Sequence, residues 1–178
     1  MVRRLLICGL LLLAVRIATG DEKPVAKLPK APSNPNLEKM TKLVGTWVAA
    51  DENNKPTEQI VSVIKLTAGG SAVHETLFPG QEQEMVSIYT VDGSDLVMTH
   101  YCMLGNQPKM KADPKSPANK ISFVFAGGAN LDPQKDKHMH GAVLTIIDAD
   151  HIEIEGEAWD GGKPAHEMCG KMKLVRKK

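Results

Sequence analysis

The chain has 178 residues, 42% of them hydrophobic but only 4% aromatic, with 22 Lys and Arg against 21 Asp and Glu. That length is one domain's worth and enough to bury a proper core. A charge this near balance has no basic excess to attract nucleic acid or an anionic membrane surface.

Residues 1–20 read as a secretory signal peptide. Arg3 and Arg4 form a basic start, Leu5 to Val15 an apolar stretch too short to span a bilayer, and Ala18 and Gly20 the small residues for cleavage after Gly20. The expected mature chain, Asp21 to Lys178, is secreted or periplasmic. Removing Arg3, Arg4 and Arg16 takes the 22 basic residues to 19 against 21 acidic ones, a net of −2. Cys102 and Cys169 remain, and an oxidising compartment permits a disulfide between them, subject to geometry.

Residues 21–36 carry Pro24, Pro29, Pro32 and Pro35 and read as a flexible linker ahead of a single folded domain, residues 37–178. Asn36 is placed to cap a short helix over Leu37 to Leu43, with Leu37, Met40 and Leu43 on one face. Strands follow: 45–50, Thr57 to Thr67, and Ser71 to Phe78 after the Gly69-Gly70 turn. Met85 to Met103 then reads as a hairpin, two alternating β-rich runs around Asp92-Gly93. Residues 104–119 hold three prolines and read as a loop, Ile121 to Ala126 as a strand, and Gly127 to Lys137 as a second loop. His138 to Ile147, Ile152 to Trp159 and Ala165 to Val175 complete the set. The pattern predicts an all-β fold, an antiparallel up-and-down barrel of about nine or ten strands with a short N-terminal helix. No Gly-rich phosphate loop, G-x-S-x-G turn or Cys-x-x-Cys pair occurs.

Gly45-x-Trp47, set after a short helix, resembles the opening of the lipocalin-like (calycin) barrels. In that family a Trp on the first strand closes one end of the barrel and a basic residue late in the last strand stacks over it. Arg176 is the matching residue here, and a guanidinium on an indole face is a favourable contact. The stretches His100-Tyr101-Cys102, Gly105-Asn106-Gln107-Pro108 and 127–140 are similar to those of secreted bacterial proteins of this lipocalin-like type. The similarity spans most of residues 37–178 and implies a fold more than an activity. Nitrobindin-like haem barrels also open on Gly-x-Trp, but Val48-Ala49-Ala50-Asp51 stands where their next Gly-x-Gly would lie.

Two residue sets carry the chemistry. On the hairpin, a loop centred on Gly93-Ser94 puts Met85, Ser87, Tyr89, Met98, His100 and Cys102 on one face and Val86, Ile88, Thr90, Val97, Thr99 and Tyr101 on the other. The aliphatic set is the simpler core; the reverse choice builds a pocket wall of Tyr89, Met98, His100 and Cys102. Farther on, His138 and His140 share a strand face. With Asp148-Ala149-Asp150 as a three-residue loop, Ile146 faces Ile152, Leu144 faces Ile154 and His140 faces Ala158, which turns both histidines inward near one mouth.

Three functions fit these residues. The first is a secreted protein holding a small, largely apolar molecule in the barrel interior, lined by Tyr89, Met98, His100, Cys102, His138 and His140; methionines suit such a pocket because they adapt to irregular shapes. The second is a metal-binding protein or metal-dependent enzyme with a zinc or copper site on His138 and His140, completed by His100 or Cys102, with nearby methionines favouring copper(I). The third is a filled barrel acting only as an interaction module. Glu75, beside His74, is as readily a solvated pair as an acid–base group, and no spacing assembles a catalytic mechanism.

Overall fold

The computed structural model describes residues 32–168 and 170–178. The expected signal peptide, most of the expected linker and Cys169, with it the expected Cys102–Cys169 disulfide, lie outside the described residues.

The helix α1 runs Pro35–Lys42. Its cap is Asn34, not the expected Asn36: the Asn34 side chain accepts from the backbone N–H groups of Asn36 (2.9 Å) and Leu37 (3.0 Å). Pro35 at the first helical position explains the earlier start, since it has no N–H to lose there. Leu37, Met40 and Leu43 are all buried, at 3%, 1% and 2% exposure. Burying a side chain of this size contributes about 1.5–3 kcal/mol, so this face, not helix propensity, holds so short a helix in place.

Strands β1 (Gly45–Ala50), β2 (Pro56–Thr67), β3 (Ala72–Leu77), β4 (Met85–Asp92), β5 (Asp95–Tyr101), β6 (Gln107–Ala112), β7 (Lys120–Ala129), β8 (His138–Ile146), β9 (His151–Asp160) and β11 (Gly170–Arg176) follow. Each pairs antiparallel with its neighbour. The β8–β9 ladder closes the ring, giving a ten-strand antiparallel barrel. A two-residue strand, β10 (Lys163–Pro164), adds to β9 outside that ring.

Three expectations need correction. The stretch 104–119 is not all loop, because Gln107–Ala112 is an inner strand of the barrel. Pro108 fits because the β5–β6 ladder ends at Thr99 and Lys109, so its missing N–H costs no bond on that side. β7 extends three residues past Ala126, through Gly127 and Gly128. The last strand starts at Gly170 rather than Ala165, with a single 3₁₀ turn at His166–Met168 before it.

One end is sealed by α1 and by Trp47, which is fully buried and donates its indole N–H to the Leu43 carbonyl at 2.9 Å. The Arg176 guanidinium lies 4.4 Å over the Trp47 ring. It also donates to the carbonyls of Val44 (2.7 Å), Lys42 (3.0 Å) and Ala149 (3.0 Å). A side chain at Gly45 would meet Arg176 Nη1 at 2.7 Å, and Gly45 has φ +147°, so glycine is required on both counts.

Candidate functional site

The hairpin register decides which face is inside. Ser87 pairs with His100 and Tyr89 with Met98 across a two-residue Gly93-Ser94 turn, with Gly93 at φ +62° as such a turn demands. Ser87, Tyr89, Met98 and His100 are buried, while Tyr101 is half exposed and, of the aliphatic set, only Val97 is buried. The simpler, aliphatic core is therefore not the one formed. Polar groups can occupy the interior because they satisfy one another.

Ser62 and Tyr89 donate to the two carboxyl oxygens of Glu75, at 2.6 and 2.5 Å, and the Ser87 hydroxyl lies 2.9 Å from His100 Nδ1. All five residues are buried, so Glu75 is not a solvated partner of His74. Burial raises the Glu75 carboxyl above its ordinary range, against the lowering effect of its two hydrogen bonds. Burial and the adjacent carboxyl push the Tyr89 phenol up, and burial pulls His100 down from 6.5 to about 4, leaving its imidazole neutral at pH 7.

Two neighbouring spaces lie above and among these groups. A void of about 40 Å³ is bounded by Glu75, Ser87, Tyr89, Met98 and Met139, among others. That is room for about three waters and too little for a molecule of several carbon atoms. Over it, at the end opposite α1, opens a recess of about 350 Å³. Leu77, Met139 and Ile154 line both spaces and so form the partition. The recess is walled by His100, Cys102, His138 and five methionines, Met85, Met103, Met139, Met168 and Met172. Met103 and Leu104 stand 60% and 46% exposed at its rim.

The recess has room because Gly156 and Gly170 on its lining lack bulk, and Ala142 continues their row beside the void beneath. Gly170 pairs with Gly156, and Gly156 with Ala142. A Cβ added at Gly156 or Gly170 would meet nothing within 4 Å. Grooves of about 340 and 440 Å³ elsewhere are lined by charged side chains such as Glu153 and Lys173, or Glu58 and Lys177, and lack this apolar character.

The pair His138 and His140 departs from expectation. The β8–β9 register holds as read at Ile146–Ile152 and Leu144–Ile154, but slips between Met139 and Gly141. Met139, not His140, faces Ala158, and His140 is the extra residue of a β-bulge. The two histidines therefore do not share the inward face. The His140 ring stacks on Trp159, with centroids 3.8 Å apart, and on Phe125 at 4.6 Å. His138 is fully buried and lines the recess.

Their hydrogen bonds fix the tautomers. His138 Nδ1 sits 2.8 Å from the Asp136 carbonyl, which can only accept, so Nδ1 carries the proton. With its second nitrogen unprotonated, His138 accepts at Nε2 from His140 Nδ1–H, 2.9 Å away. Burial first, and His138 second, lower the His140 pKa, with Glu157 opposing. A metal held between the two rings would have to displace this bond. Counting only His, Cys, Asp and Glu, no cluster of three or more with metal-binding geometry occurs among the described residues.

The structure thus brings His100, Cys102 and His138 to one recess, sets Tyr89 and Met98 beneath it around the small void, and leaves His140 apart between two aromatic rings. The residues not foreseen are Ser62, the small row Ala142–Gly156–Gly170 and, of the methionines, Met103, Met139, Met168 and Met172. Inward parity on neighbouring strands is the signal that would have grouped them. No protein-family model matches the chain, and no curated protein matches it. Among the described residues, no helix is long and apolar enough to cross a membrane.

Proposed function

We propose that this protein is a lipocalin-like, secreted binding protein that takes a small, largely apolar molecule into the recess at the open end of its barrel. The observation that carries the reading is the bulk-free row Ala142–Gly156–Gly170 beneath a methionine-lined opening of about 350 Å³. That volume lies at the small end of the range for ligand pockets, which are mostly apolar with few polar groups. Methionine side chains rearrange with little cost, so the lining accommodates more than one molecular shape. The interior proper is occupied by Tyr89, Met98, Met110 and Phe123, so the ligand sits at the mouth with its deepest atoms against Leu77, Met139 and Ile154. Secretion rests on the pattern of residues 1–20.

The test is binding of an environment-sensitive apolar dye, with mass spectrometry of solvent extracts from the purified protein. Gly156→Phe places a ring in the recess without a backbone clash. Dye affinity should fall at least about tenfold, or 1.4 kcal/mol, while the melting temperature stays close to that of the wild type. Unchanged dye binding in a folded Gly156→Phe protein would remove the recess as the binding site.

A further inference from the structure

The wall of the recess formed by β4 and β5 holds a sulfur pair. Cys102 Sγ lies 4.0 Å from Met85 Sδ. A thiol–thioether contact of this length also arises from packing alone, so its surroundings decide what it means. His100 lines the same recess, is 2% exposed, and spends Nδ1 on Ser87. Among the described residues, no protein group pairs with its Nε2. A ring nitrogen without a protein partner, on the same recess lining as two sulfurs, is an incomplete constellation.

We infer that Cys102, Met85 and His100 form a binding site for copper(I). The strand geometry allows the convergence. His100 and Cys102 are two apart on one strand, on the face shared with Met85, and cross-strand diagonal neighbours lie within reach of long side chains. The sulfur spacing fits the metal. With metal–sulfur bonds of about 2.3 Å, two sulfurs in a trigonal plane stand about 4.0 Å apart, which is the separation seen. Thiolate and thioether donors select copper(I) over zinc and over hard cations. Met103, Met139, Met168 and Met172 on the same lining extend that preference around the cleft. Binding forms a copper–sulfur bond as the Cys102 thiol releases its proton to solvent, with no change in oxidation state. The site goes beyond the apolar-ligand reading and does not depend on it, since Gly156→Phe leaves all three donors in place.

The experiment uses the reduced mature protein without oxygen, titrated with copper(I) against a chromophoric chelator, with silver(I) as a redox-inert check and zinc(II) as the contrast. One copper(I) per chain is expected, with a sulfur-to-metal charge-transfer band and no comparable zinc affinity. Cys102→Ser should weaken binding roughly a hundredfold, and Met85→Leu and His100→Gln roughly tenfold each, all with wild-type circular dichroism. Cys169→Ser should bind as the wild type does. Equal affinity in Cys102→Ser, loss of the metal in Cys169→Ser alone, or absence of a one-to-one complex would each overturn the site.

Discussion

His100 shows how one buried side chain ties stability to pH. Its pKa falls from 6.5 in the unfolded chain to about 4 in the fold because burial disfavours the cation. Between these values the unfolded state holds more protons, so stability rises with pH. The contribution is complete above pH 6.5 and is lost as pH falls toward 4, by about 3 kcal/mol. Glu75 works in the opposite sense. Its raised pKa means the folded state holds the extra proton, and stability drops as pH climbs through that raised value. Urea unfolding at a series of pH values should show a decline below pH 6.5 that is reduced in His100→Gln. Sequence alone could not put these groups inside, because both hairpin faces are semi-apolar. The choice turns on Glu75 and Ser62, which lie two strands and three strands from His100 and complete the hydrogen-bond set.

At the level of elements, the chain end acts as a clasp. Arg176 on β11 binds carbonyls of α1, of the residue leading into β1 and of the β8–β9 turn, while covering Trp47. Arg176→Ala should lower unfolding free energy by about 2–4 kcal/mol, since three carbonyls and an aromatic face lose their partner. Arg176→Lys should recover little of it, because an ammonium lacks the planar fork that reaches several acceptors at once; chemical denaturation checks both. This clasp was legible in Gly45, Trp47 and Arg176, as were the helix face and the hairpin turn at Gly93. β6 was not, because Pro108 and its neighbouring prolines outweighed the alternating Pro108, Met110 and Ala112, all of which are buried. The bulge at His140 leaves no mark in composition, and a single inserted residue reverses every inward assignment beyond it.

Across the whole molecule the two ends are unlike. One is stopped by α1 and its C-cap, where Leu37, Met40 and Leu43 fill the opening; the other is left wide by the glycine row. Deleting residues 32–43 should therefore cost stability, by about 3 kcal/mol or more given three lost apolar side chains partly offset by the helix's own ordering entropy. The deletion should leave the open-end recess in place, and a shifted urea midpoint together with retained dye binding at low temperature is the expected outcome. The paired Gly156 and Gly170 with Ala142 also carry a consequence for divergence. They sit on adjoining strands whose ladders run through main-chain atoms, so exchanging any of them for a larger residue alters capacity without touching strand order or closure. Chains sharing this scaffold can thus change the volume of the open end through as few as three codons, and an engineer seeking a graded series of cavity sizes would begin at the same positions.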